Sequence, residues 1–182
     1  MLVIPFMELA VQEAETLGLE PAAFRAFYDD ALPRVYGYFL HRTGGSVSSA
    51  EELTQETFLA VVSELKKGRR VEAPIPWIYG IARHKLVHHY RREERSEQPL
   101  PDEELLADEL PLDDASALVR ENAVAALAAV PVSQRIALVL RHLDGLSVPE
   151  IAAELGRSVE AVESLLARGR VGFKRAYLEA AR

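Results

Sequence analysis

The feature that most limits how this chain can fold is an acidic, proline-bearing segment near its middle. Between Ser96 and Asp114 stand eight carboxylates (Glu97, Asp102, Glu103, Glu104, Asp108, Glu109, Asp113 and Asp114), no Lys or Arg, and Pro99, Pro101 and Pro111. Proline breaks helices and like charges repel, so the segment is expected to be an extended, solvated linker. It parts the 182 residues into an N-terminal block of about 95 residues and a C-terminal block of about 65. The net charge of −7 becomes +1 once those eight acids are set aside. The acidic balance of the whole therefore does not exclude a nucleic-acid partner for the rest.

Both blocks carry helical patterning. After Pro21, suited to a first helical turn, Phe24, Phe27, Tyr28, Ala31, Val35 and Phe39 recur in steps of three and four. Thr43-Gly44-Gly45-Ser46 interrupts that stripe. A second helix is expected to open with Ser49 and Glu52 in capping-box spacing, with Leu53, Thr57, Phe58, Val61 and Leu65 on its apolar face. Lys66-Lys67-Gly68-Arg69-Arg70 closes it with positive charge, which the helix dipole favours there. A loop with Pro74 and Pro76 leads to a third helix, from Trp77 to about Arg95. In the second block an alanine-rich helix is expected from Leu118 to Ala129, and another from Pro131 to about His142. No run alternates at period two, so no strand is expected.

Hydrophobic residues make up 49% of the chain, enough for a packed core. There is no cysteine, which excludes disulfides and cysteine-based zinc sites and fits a reducing cytoplasm. No apolar run approaches the roughly 20 residues of a membrane helix, and Met1–Met7 lacks the basic start of a signal peptide. No paired catalytic carboxylates, Ser/His/Asp set or glycine-rich phosphate loop is present, so no enzyme activity, catalytic residue or cofactor is assigned.

The C-terminal block holds the sharpest local pattern. Ser147-Val148-Pro149-Glu150 is a capping box with proline in the first turn, Gly156 suits a left-handed helix end, and Ser158 can cap the next helix. Small Ala152 and apolar Ile151, Leu155, Val162 and Leu165 provide the inward face that two closely joined helices need. This fits a helix-turn-helix; an ordinary helical hairpin in a bundle is the plainer reading. Yet Glu160 and Glu163 lie where a recognition helix would meet a negatively charged groove. Glutamate is favoured by the dipole near a helix start, and it can also accept a hydrogen bond from cytosine N4. Six basic and three acidic residues from Gly156 to Arg182 leave a modest positive footprint for phosphates.

Three ordered motifs carry a family resemblance. Ala50-Glu51-Glu52-Leu53-Thr54-Gln55-Glu56-Thr57-Phe58-Leu59 resembles a signature of bacterial RNA polymerase sigma factors of the extracytoplasmic-function (ECF) group. Trp77-Ile78-Tyr79-Gly80-Ile81-Ala82-Arg83 with Arg91-Arg92 resembles the next signature. Val130-Pro131, Arg135, Leu138, Leu140-Arg141, Gly145-Leu146-Ser147, Glu150-Ile151-Ala152, Leu155-Gly156, Ser158, Val162 and Ser164 resemble the C-terminal one. The resemblance covers about residues 21–95 and 116–177. It implies an all-α chain of two small helical domains: an N-terminal extension (1–20), a sigma region 2-like domain (21–95), the acidic linker (96–115) and a sigma region 4-like domain (116–182).

Roles follow by matched position. Glu51, Glu52, Thr54, Gln55 and Glu56 would form an exposed face toward the clamp of RNA polymerase core. Arg69, Arg70, Trp77, Arg83, His84, Lys85, Arg91 and Arg92, with Arg95, would serve the opened minus-ten promoter element, although a lone tryptophan opening a helix ordinarily packs. Arg157, Ser158, Glu160, Ala161, Glu163, Ser164, Arg168, Arg170 and Lys174 would serve the minus-thirty-five element, and the second domain would touch the polymerase flap. An anti-sigma factor is the further implied partner. The chain departs from the family pattern at His84 and His88, where asparagine and aspartate are usual, and at Glu163 and Leu165, where a basic pair is frequent. His84 and His88 lie one turn apart, but no third ligand is evident and no metal is assigned. Two other readings compete: a sigma-like protein that sequesters an anti-sigma factor without touching DNA, and a dimeric helix-turn-helix repressor.

Overall fold

The structure, a computed structural model, describes residues 21–68, 71, 73–96 and 117–181. The expected extension 1–20, nearly all of the acidic linker, and Arg69 and Arg70 of the expected minus-ten set lie outside the described residues. All regular structure among the described residues is helical: α1 (Pro21–Arg42), α2 (Val47–Lys66), α3 (Pro74–Ser96), α4 (Ala117–Ala129), α5 (Val132–Leu138) continued by a π turn (Val139–Leu143), α6 (Val148–Leu155) and α7 (Val159–Ala180).

Contacts divide the chain into two compact units, with the division falling inside α3 between Leu86 and Val87. In the first unit, the stripe Phe24, Tyr28, Ala31, Val35 and Phe39 of α1 is buried together with Leu53, Phe58 and Val61 of α2 and Ile78, Ala82 and Leu86 of α3. The Tyr28 and Phe58 rings meet at 4.6 Å. Burial, and then the neighbouring Asp29 carboxylate, raises the Tyr28 hydroxyl above its ordinary pKa.

Two helix starts differ from expectation. The cap of α2 is Ser46, whose hydroxyl accepts from the Ser49 N–H at 3.3 Å, so Ser49 is a first-turn residue rather than the cap. Gly45, at φ 80°, lets the chain turn into the helix at that point. α3 begins at Pro74 and not at Trp77. The first N–H bonded to the preceding turn is that of Trp77, to the Ala73 carbonyl at 3.2 Å. Pro74 and Pro76 therefore occupy a turn where no N–H is needed.

The second unit gathers Arg42–Gly45, the end of α3 and the helices from α4 onward. Its core includes Tyr90, Ala126, Leu127, Ile136, Leu140, Ile151, Leu155, Val162 and Leu166. Gly169 lets α7 pass close to α5, since a Cβ there would lie 3.1 Å from the Leu138 side chain. Gly44, at φ 65°, leaves room for Ala128, whose Cβ would stand 2.8 Å from any added Cβ. Arg42 forms an ion pair with Asp144 at 2.7 Å, both side chains largely buried, and also donates to the Leu143 carbonyl at 3.2 Å. The Tyr90 hydroxyl donates to the Arg42 carbonyl. Burial raises the Tyr90 pKa strongly, and the Arg135 and Arg42 charges only partly oppose it.

Candidate nucleic-acid interface

The helix-turn-helix forms as its sequence indicates. The Ser147 hydroxyl stands over the first turn of α6, while the Glu150 carboxylate reaches back to accept from the Ser147 N–H at 2.8 Å and its hydroxyl at 2.6 Å. Gly156 ends the helix in the left-handed region at φ 61°. The Gly156 N–H bonds the Ala153 carbonyl at 3.3 Å and the Arg157 N–H bonds that of Ala152 at 2.9 Å, which makes a Schellman end. Ile151, Ala152 and Leu155 of α6 and Val162, Leu165 and Leu166 of α7 are buried where the two helices pack.

α7 starts at Ser158, whose hydroxyl accepts from the Ala161 N–H at 3.2 Å. The Glu160 carboxyl is held below the ordinary carboxylate range, first by its own backbone N–H and then by the Ser158 hydroxyl. Ser158 thus accepts from the backbone and donates to Glu160, and the acid serves the helix start. Glu163 and Ser164 are exposed as expected, and Ala161 is half-buried. Arg168, Arg170 and Lys174 are half-buried along the same helix, with Arg170 Nε donating to the Leu166 carbonyl at 3.3 Å. Ala167, one turn beyond Glu163, is exposed on the same face and was not singled out. Its i+4 spacing from Glu163 was the available signal.

On α3, His84, His88, Arg92 and Arg95 are exposed at steps of three and four and form one stripe. Arg83 and Trp77 are half-buried. Lys85, half-buried beside that stripe, pairs with Glu56 of α2 at 3.2 Å, tying an expected promoter residue to an expected polymerase residue. Arg91 donates to the Glu154 carbonyl at 2.7 Å, near the negative end of α6, and Glu94 pairs with Arg157. Both expected DNA residues Arg91 and Arg157 are therefore engaged within the second unit. Glu94 and Glu154 were not visible as their partners, because each is separated from its arginine by 63 residues.

The expected polymerase face needs one correction. Thr54 is buried, its hydroxyl donating to the Ala50 carbonyl at 2.6 Å. A threonine can turn inward when its hydroxyl back-bonds the preceding turn. Glu51, Glu52 and Gln55 are exposed, Glu56 is half-exposed, and Leu59 joins them as a large exposed apolar residue. Among the described residues no three His, Asp or Glu side chains gather in a way that could hold a metal ion, and no helix is long and apolar enough to cross a membrane.

These features define a two-region helical protein whose second region carries a helix-turn-helix of the kind that reads DNA. The family model Sigma-70 region 2 matches residues 27–96, and Sigma-70, region 4 matches residues 120–171. The chain is 36% identical over 137 residues to the ECF RNA polymerase sigma factor SigF of Caulobacter vibrioides, covering 74% of each. It is 32% identical over 160 residues to SigD of Mycobacterium tuberculosis, covering 82% of this chain and 74% of that one. A solved structure of the sigma factor RpoE with the anti-sigma factor NepR, from Bartonella quintana, shares the fold at a TM-score of 0.51 and 20% identity, over 88% of this chain and 99% of that one. The chain belongs to the ECF RNA polymerase sigma factors and is a promoter-recognising sigma subunit.

Proposed function

We propose that the chain works as two domains, 21–95 and 116–182, with 96–115 as the linker between them. The first docks on the clamp of RNA polymerase core through Glu51, Glu52, Gln55 and Glu56, with Leu59 as the apolar centre of that face. The exposed stripe His84, His88, Arg92 and Arg95 follows the phosphates of the opened minus-ten element. The second domain lays α7 in the major groove of the minus-thirty-five element and touches the flap. The chain supplies no active site; the polymerase carries out the chemistry. It acts in the cytoplasm, and an anti-sigma factor holds it when it is idle.

The observation that carries this reading is the fully capped helix-turn-helix, which leaves the start of α7 exposed. The competing reading, a decoy for an anti-sigma factor, leans on acid in the recognition helix and on the departures at His84 and His88. Glu160 weakens the first of these, since its carboxylate serves the helix start. The test is transcription from fragmented genomic DNA with core polymerase of a related bacterium and this protein, with the starts sequenced. Starts behind one shared pair of upstream elements are expected. Starts that do not depend on the protein, with a core that is active with another sigma factor, would refute the reading.

A further inference from the structure

The face that α7 offers to a groove has an unusual chemistry. Val159, Glu160, Glu163, Ser164 and Ala167 are exposed, while Val162, Leu165, Leu166 and Gly169 are buried behind them. From Val159 to Ala167 there is no Arg, Lys, Asn or Gln. The forked donors that read guanine and the amides that read adenine are therefore missing from the first two turns.

The two acids differ. Glu160 is committed to its own N–H and to Ser158, at the helix start. Glu163 is exposed and, among the described residues, has no hydrogen-bond or ion-pair partner. It stands one turn further in, on the same face as Ala167.

We propose that Glu163 is the base-selecting residue of α7, and that it selects a cytosine in the upstream promoter element by accepting from its N4 amino group. The proposal rests on the reading of α7 as the minus-thirty-five reader. An ionised carboxylate only accepts. In the major groove guanine shows two acceptors, thymine shows one beside its methyl, and adenine sets an acceptor next to its donor. Each of these repels at least one carboxylate oxygen, so Glu163 selects as much by excluding the wrong base as by bonding the right one. Ala167, short and apolar, suits the methyl of a neighbouring thymine. Phosphate attraction is left to Arg168, Arg170 and Lys174 further along the helix.

The experiment uses holoenzyme made from core polymerase and the full chain, on promoters whose upstream element is randomised, with the transcripts sequenced. Wild type is expected to enrich cytosine at one position of one strand. Glu163→Ala should flatten that position by about tenfold and leave the others. Glu163→Gln should move it to adenine, because an amide both donates to N7 and accepts from N6. Base profiles identical among wild type and both variants, or a change produced by Glu160→Ala and not by Glu163→Ala, overturn the proposal while α7 remains the reader. Wild-type transcription with no preferred base anywhere in the upstream element would overturn the reading of α7 itself.

Discussion

The two helices assigned to promoter DNA carry opposite chemistry on their exposed faces. α3 presents His84, His88, Arg92 and Arg95, whereas the start of α7 presents Glu160, Glu163, Ser164 and Ala167. One face suits a phosphate backbone whatever its sequence; the other suits base edges and gives little attraction. Under the proposed reading, affinity and sequence choice are separate tasks in this chain. Nor does a net charge of −7 stand against a promoter reader: eight of the acids fall between Ser96 and Asp114 in the sequence, and without them the balance is +1.

The largest expected effect breaks the reading side by removing its support. Ile151 is fully buried beneath the turn, so Ile151→Ala should cost about 3 kcal/mol in a denaturant melt and abolish recognition of the upstream element. A melt unchanged by this substitution would mean that α6 does not brace α7. Next, Arg92→Ala with Arg95→Ala should weaken promoter binding for every sequence alike and lower the slope of log affinity against log salt by about 1.5. A changed base preference in that double variant would erase the contrast between the two helices.

Ser158→Ala removes the cap of α7 and should cost about 1 kcal/mol. It should also let the Glu160 pKa rise toward its ordinary value, as followed by NMR titration of the side chain. The sign follows from the depressed carboxyl: its stabilisation is present above the unfolded-state pKa and fades as pH falls through the lower folded one. Smallest is the Lys85–Glu56 pair. Both side chains are about a third exposed, so a double-mutant cycle should give a coupling of about 0.5 kcal/mol.

The parts legible in the sequence were those set by neighbours in the chain. The Ser147–Glu150 box, the left-handed Gly156 and the Ser158 cap all depend on spacings of a few residues, and each formed as read. Where two local solutions competed, the sequence was a poorer guide. The spacing of Ser49 and Glu52 pointed to Ser49 as the cap, whereas the hydroxyl that caps α2 is that of Ser46, directly after the positive-φ Gly45. Thr54 resembled its exposed neighbours until its hydroxyl found the Ala50 carbonyl. The partners of Arg42, Arg91 and Arg157 could not be read at all. Asp144 is 102 residues from Arg42, and no periodicity encodes such a pair.

The most direct test of the separation between the two helices exploits the absence of cysteine, which makes any introduced thiol unique. Ala167→Cys and His88→Cys, each carrying a DNA-cleaving iron chelate, would be assembled into holoenzyme on a promoter found by transcription. The account predicts cuts from residue 167 in the upstream duplex element and cuts from residue 88 in the opened element nearer the start. Cuts from both probes at one element, or cuts from residue 88 in the upstream duplex, would contradict it.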